Sequence, residues 1–469
     1  VVRKKRKTPL NFYIKQSIIS PKDLASRIGC IVTNPIPVNC SILNIAHKGI
    51  TRMSDKIKIF TIGDHPLSPS GVGTQSRYII EGLLKTGKYQ FISFGGAIKH
   101  PNHDPQSTEE WGEDWVIWPV DGYGNAEMVR AMIHQQKPDI LWFMTDPRFY
   151  GWLWEIENEI RAHVPMIYYH VWDNFPPPMF NRPAYLSNDH IACISKVTHE
   201  IVQKVAPEVE SSYIPHAVDP NIFQPLSEED RTKIRKEKNL DHKFICAWNN
   251  RNARRKQSGS LIFWFKEFLD KVGHDKAALI MHTDVKDNHG QDLEAIIHEL
   301  GLIKGEILFS TLKIGAQDLC LMYNMADVTI NISDAEGFGL ATLESLSCGT
   351  PILVNMTGGL QEQVTDGENW FGIGLEPASK AIIGSQEVPY IYEDRLNKDD
   401  FINALLELYE MGHEKRRELG LAGREWSRTK FGFENFVSTW DETLTALHEK
   451  CGSWDTRKGY QKHEFKEIT

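Results

Sequence analysis

Two glutamates with seven residues between them, Glu336 and Glu344, lie in the stretch 334–351, DAEGFGLATLESLSCGTP. Gly337 and Gly339 permit a tight turn, and Phe338 to Leu340 open a helix. The first N–H groups of such a helix can cradle an anion. Glu344 falls about a turn and a half into that helix, so it can face the same cleft as Glu336. Carboxylates are good acceptors for vicinal sugar hydroxyls. Enrichment of acids at a helix start for dipole reasons accounts for Glu336, but not for the Gly-Phe-Gly turn and the second glutamate together.

Three further stretches carry groups of the same kind. Residues 246–258, CAWNNRNARRKQS, place Arg251 five residues before Lys256, with Arg254 and Arg255 between them. Cations at a strand end, opposite a helix start, suit a diphosphate; taken alone, the run also reads as a solvated basic loop. Residues 69–77, PSGVGTQSR, hold Gly71 and Gly73 between a strand and a helix. They let backbone approach a ligand, yet the third glycine of a dinucleotide fingerprint is missing, so a plain turn fits as well. In residues 168–178, YYHVWDNFPPP, His170 ends a strand and is expected to point toward the cleft, with Asp173 three residues on. A buried core histidine is the alternative. Most of the aromatics around it (Trp111, Trp115, Trp118, Trp152, Trp154, Trp172, Phe175) are expected in the core, although such rings also stack on sugar faces.

These groups need elements to hold them. Apolar runs at 57–62, 140–144, 166–170, 190–195 and 212–215 alternate with helical patterns such as 74–85, 126–136 and 196–205. After a charged helix at 228–238, a second series begins. Its strands are expected at 244–248, 277–282, 307–310, 328–332 and 351–355, and its helices at 261–272, 293–300, 316–325 and 340–348. Near-continuous apolar strands separated by helices imply parallel sheets covered on both faces. The expected architecture is α/β: two Rossmann-like domains facing a cleft, at 53–225 and 226–430. A C-terminal helix at 431–450 packs back across them, and 451–469 is a frayed polar tail. Ligands bind in a cleft of this kind, at the carboxyl ends of the strands.

The 469 residues, 41% hydrophobic and 25% charged, are ordinary globular usage. No apolar run reaches the roughly 18 residues of a membrane span. The seven cysteines (30, 40, 193, 246, 320, 348 and 451) show no C-x-x-C and neither a zinc nor a disulfide spacing, which favours a reducing, cytoplasmic compartment. Residues 1–52 carry ten Lys and Arg against one acid, while the remainder carries 43 basic and 61 acidic residues. So acidic a body repels phosphate backbones and argues against nucleic acid as a partner. Met53 opens MSDKIKIF, a common start for an α/β protein, and 1–52 is expected to be a dispensable extension.

The four stretches together resemble the retaining GT-B glycosyltransferases of the glycosyl transferases group 1 family, over about residues 57–448. E-G-F-G-L with the second glutamate after it carries the resemblance. YIPHAVDPNIF (213–223), ADVTINI (326–332), GTPILV (349–354) and GGLQEQVTDG (358–367) support it. The sequence departs from the family in having Asn249-Asn250 where Gly-Arg is usual, and His216 and Ala217 where Asn and Gly are usual. The resemblance implies a nucleotide-sugar donor held mainly by the second domain. Arg251 and Lys256 would clamp its diphosphate, with Arg254 and Arg255 as alternatives to Arg251. Glu336 would contact the transferred sugar, and Glu344 the ribose. The backbone of Gly337, Phe338, Gly339 and Leu340 would touch sugar and phosphate, Gly73 would let the first domain approach on closure, and His170 would sit beside the reacting sugar. The acceptor would be a glycan, a lipid-linked molecule or a protein, with at most peripheral membrane association. No D-x-D occurs in the chain, so no metal or other cofactor is expected. A non-catalytic nucleotide- or sugar-binding protein, or an epimerase of the same fold, is the alternative.

Overall fold

The computed structural model describes residues 56–463; the basic segment 1–52 and the end of the polar tail lie outside the described residues. Eight strands build the first sheet: β1 (Ile57–Asp64), β2 (Tyr89–Gly96), β3 (Gln106–Ser107), β4 (Trp115–Pro119), β5 (Ile140–Thr145), β6 (Met166–His170), β7 (His190–Cys193) and β8 (Ser211–Tyr213). Their order is β3-β4-β2-β1-β5-β6-β7-β8, and every pairing is parallel except β3 with β4. In β1, Phe60 and Ile62 pack into one core cluster and Ile59 into the other, which is why its apolar run is nearly continuous.

The second sheet comprises β9 (Phe244–Asn249), β10 (Ala277–His282), β11 (Ile307–Ser310), β12 (Val328–Asn331), β13 (Ile352–Asn355) and β14 (Gly372–Leu375). Its order is β11-β10-β9-β12-β13-β14, all parallel. The chain winds outward from β9 through β10 to β11, then restarts on the other side of β9 with β12. The strand order therefore reverses between β9 and β12. Val328 pairs with Cys246 and Thr329 with Ala247, which brings the strand ends Asn331 and Asn249 level. The loops after these two strands leave the sheet side by side, at the kind of crevice where open α/β sheets bind ligands.

The helix Phe433–Cys451 runs back onto the first domain. Trp440 is fully buried, edge-on to Trp142 and Tyr169 with ring centres 6.0 and 4.9 Å apart. A Cβ on Gly82 would lie 2.5 Å from Val437, so glycine is what lets this helix approach Gly71–Leu84.

Two expectations need correction. Apolar patterning pointed to no strands at Tyr89–Gly96 and Trp115–Pro119, yet both belong to the first sheet beside β1. Their alternation is masked by buried aromatics and glycines; Trp115 is core, donating its indole N–H to Ser93 Oγ at 3.0 Å. The tail is not frayed up to His463. Arg457 pairs with Asp189 at 2.8 Å, Trp454 stacks on His163, and Asn158 accepts from the amide of His463. Polar composition does not prevent docking when buried carboxylates and rings offer partners. All five cysteines among the described residues are free and buried, and no described helix is long and apolar enough to cross a membrane.

Candidate active site

The reversal point holds a buried ion pair. Lys256 ends the turn Arg254–Lys256 after β9, and its ammonium meets the carboxylate of Glu336 in the loop after β12. The side chains are 9% and 12% exposed. Asn331 Nδ2 at 3.1 Å and Ser333 Oγ at 3.3 Å also donate to Glu336. Burial opposes the charge on Glu336, but Lys256 and Arg255 overcome it and hold the carboxyl at about 2. Burial and the neighbouring Arg255 lower Lys256.

Arg255 donates to the carbonyl of Ala335 at 2.5 Å, and its guanidinium lies 3.8 Å from Asp173 of the first domain. Burial raises the carboxyl of Asp173, against the pull of Arg255. Arg255, Lys256, Glu336 and Asp173 thus form one cross-domain cluster. The other two arginines of the loop are engaged elsewhere. Arg251 is held by Asp287 at 2.6 Å, with its side chain 61% exposed, and Arg254 by Glu393 at 2.8 and 2.5 Å.

The turn Gly337-Phe338-Gly339 is set from behind. Gly358 (φ +50°) packs so tightly that a Cβ would lie 1.7 Å from the carbonyl oxygen of Glu336. The Gly359 amide donates to that same oxygen, and Gln363 Nε2 donates to the carbonyls of Phe338 and Gly339. Gly339, at φ +92°, precedes the helix Leu340–Ser347, and no side chain caps the helix start. Its leading amides face forward uncapped, as an anion cradle requires. Gly337 itself borders the first domain: a Cβ there would lie 3.2 Å from Ile194 and 3.5 Å from Val171. Phe338 packs edge-on to His216, ring centres 5.0 Å apart.

One and a half turns into the helix, Glu344 accepts from Tyr323 Oη at 2.6 Å, and that hydroxyl accepts from Asn249 Nδ2 at 2.8 Å. Burial raises Glu344 to about 7, against the Tyr323 hydrogen bond. Sequence reasoning did not single out Tyr323, Asn331 or Ser333, since polar residues within helices and strands give no local signal of what they support.

Besides Arg251, two more of the expected site residues stand apart from the cluster. His170 offers the cleft no exposed surface. Its side chain is fully buried, its Nε2 lies 2.6 Å from Tyr185 Oη, and burial lowers it to about 3. β6 is a central strand, so its alternate residues face the helices on either side, and the chain turns cleftward only after it, at Asp173. Gly73 serves its own loop: a Cβ would lie 2.6 Å from His65 O and 2.8 Å from Ser68 Oγ. Gly71 is the glycine that meets the second domain, 3.1 Å from Leu340 Cδ1 by the same measure.

Residues 230–426 match the family model described as Glycosyl transferases group 1. The chain is similar to the D-inositol 3-phosphate glycosyltransferase of Arthrobacter sp. (strain FB24), 28% identical over 109 residues, 23% of this chain and 25% of that protein. It is also similar to the GDP-mannose-dependent monoacylated alpha-(1-6)-phosphatidylinositol monomannoside mannosyltransferase of Corynebacterium glutamicum, 27% identical over 225 residues, 46% of this chain and 52% of that protein. The matches thus span between a quarter and about half of these relatives. Among solved structures, the sucrose-phosphate synthase of Thermosynechococcus elongatus superposes with a TM-score of 0.67 at 16% identity, covering 84% of this chain and all of that one. Anabaena HepE in complex with UDP and glucose superposes at 0.60 and 18% identity, covering 83% and 100%. Likenesses this distant show the fold. The two sheets facing one cleft are a GT-B fold, and the stretch that matches the glycosyl transferases group 1 model, residues 230–426, contains Lys256, Glu336 and Glu344.

Proposed function

We propose that the protein is a retaining glycosyltransferase that moves a hexose from a nucleoside-diphosphate sugar to a hydroxyl acceptor without a metal ion. The observation that carries the reading is the buried Lys256–Glu336 pair at the reversal point, flanked by Arg255 and by an uncapped helix start. Those cations and amides suit the diphosphate, whose negative charge grows as it leaves; preorganised donors act where charge develops. Binding of a diphosphate lets Lys256 exchange its carboxylate partner for phosphate and frees Glu336 to accept from sugar hydroxyls. Glu344, on the same helix, accepts from the ribose. The C1–O bond to the diphosphate breaks, the acceptor oxygen bonds C1 on the same face, and a donor phosphate oxygen takes the acceptor proton. Asp173, not His170, is the first-domain group nearest this chemistry.

The relatives' names support the substrate class: one is GDP-mannose-dependent, and one solved structure holds UDP and glucose. The test is a thermal-shift panel of UDP-, GDP- and ADP-sugars, then donor hydrolysis and transfer with and without EDTA. A shift by one nucleotide class, with turnover surviving chelation, is expected. No shift by any of them overturns the reading, and loss with EDTA that manganese restores overturns the metal-free step.

A further inference from the structure

After β14 the chain leaves the second sheet as an antiparallel hairpin, β15 (Ser379–Ile383) and β16 (Ile391–Arg395). Its root is fastened to the loops of the candidate site. Glu393, 1% exposed, accepts from both terminal nitrogens of Arg254 and from Arg395 at 2.6 Å. Arg395 also pairs with Asp334 at 2.9 Å, and the Asp394 amide donates to Asp334 O at 2.8 Å. Asn355 Nδ2 and Thr357 Oγ1 donate to Asp394. One strand therefore ties together the cation loop, the loop bearing Glu336 and the turn behind it.

The tip is fastened to the other domain. Val388, 5% exposed, belongs to the first domain's core cluster with Trp172, and Ile391 packs against that cluster. The Tyr392 amide donates to Phe175 O at 2.6 Å, and Asn174 Nδ2 donates to Tyr392 O at 2.8 Å. Asn174 and Phe175 come directly after Asp173. The hairpin thus spans from the loop that carries Asp173 to the loops that carry Arg255, Lys256 and Glu336.

We propose that the hairpin is a cross-cleft strap, and that Glu393 and Arg395 are positioning residues that hold the cation loop and the Glu336 loop in register with Asp173 while the tip is seated. The purpose of that register rests on the glycosyltransferase reading; the strap itself does not. Arg254 has a side chain 58% exposed, so without Glu393 it swings into water and its loop loses an anchor. Unseating Val388 keeps the root's own hydrogen bonds but releases the second domain from the first, so the root loops lose their far brace and open more often.

The test uses the full chain with Glu393→Gln and Val388→Asp, read by hydrogen exchange, by UDP and GDP titration, and by kinetics. Both variants should speed exchange in 251–257 and 333–337 while the helix Ser258–Val272 keeps its protection. Loss of charge-assisted hydrogen bonds in Glu393→Gln should weaken the nucleotide about tenfold. Glu393→Asp, which keeps the charge, should recover part of that. Val388→Asp should lower kcat about tenfold with nucleotide affinity nearly unchanged, a split that general destabilisation does not produce. If Val388→Asp does not fold, Asn174→Ala with Val388→Ala removes the same seat. Unchanged exchange in both loops overturns the strap. Failure of the unaltered protein to bind either nucleotide tells against the glycosyltransferase reading, and the exchange data then decide the strap alone.

Discussion

Glu336→Gln should expose the cost of a buried ammonium. Lys256 is 9% exposed, its charge is opposed by burial and Arg255, and Glu336 is what sustains it near 8. Breaking a buried pair by removing one partner costs about 3–5 kcal/mol. A second route bounds the figure. A lysine forced neutral at pH 7 forgoes the protonation it enjoys unfolded near 10.5, at about 1.4 kcal/mol per unit, or about 5 kcal/mol in all. With the folded value near 8, about 3 kcal/mol of that penalty is already present in the native protein, so this route sets a lower figure of about 1.5 kcal/mol, a Tm fall of roughly 3–6 °C for a domain of this size. The effect also has a sign with pH. The folded value of Lys256 lies below its unfolded one, so stability is lost as pH falls from the unfolded value toward the folded one. The variant has the lower folded value and goes on losing stability below pH 8, where the unaltered protein has stopped. The gap in Tm should therefore narrow as pH rises from 7 to 9, because the amine is then neutral in both folded forms. Lys256→Met with Glu336→Leu should regain much of the loss, since an apolar pair needs no desolvation of charge. Calorimetry across that pH range decides it. A Tm within about 2 °C of the unaltered protein at pH 7, with no trend, would refute the claim that this pair is buried and coupled.

On the glycosyltransferase reading, in which the Glu344 carboxylate accepts from the ribose, nucleotide affinity should rise as pH increases through about 7, the value to which burial raises this group; Glu344→Gln should flatten the titration curve. By the same shift, the neutral form of Glu344 favours the fold, and that stability, full below its unfolded value, is lost as pH rises through about 7. On the same reading, which makes Arg255 an electrostatic donor to the leaving diphosphate, Arg255→Ala should cut turnover about a hundred- to thousand-fold. Arg251→Ala, whose guanidinium rests on Asp287, should be much milder in donor hydrolysis, and the reverse ranking would mean that the loop rearranges on binding. Gly358→Ala should abolish nucleotide binding and lower Tm, because its Cβ would lie 1.7 Å from Glu336 O; Gly87→Ala, at φ +74° with open space around it, is the control and should cost only about 1 kcal/mol in thermal unfolding.

The amino-acid sequence by itself determined the two α/β halves and the place of the chemistry. Apolar runs such as FICAW and VTINI read as buried parallel strands. The segments after them (Arg251 to Lys256, Glu336 to Leu340) must emerge at a carboxyl edge, because strand direction is fixed by the chain. Glycine spacing at 337 and 339 announced the turn, since the required backbone is a local property. Only the tertiary structure decided which of these groups meet. His170 and Asp173 are three residues apart, and nothing local says that one turns into the helices and the other into the cleft. Arg251, Arg254 and Arg255 are equivalent as a charge run; Asp287, Glu393 and Asp173, each distant in the chain, sort them into three different tasks. The hairpin was invisible for the same reason. Ile382 is 73% exposed on one strand, Glu393 is buried on the other, and pairing with Arg254, 139 residues away, is what makes that burial tolerable. Periodicity reports the burial of an element's own face, whereas the partner of a charge is set by which loops the folded sheets bring side by side.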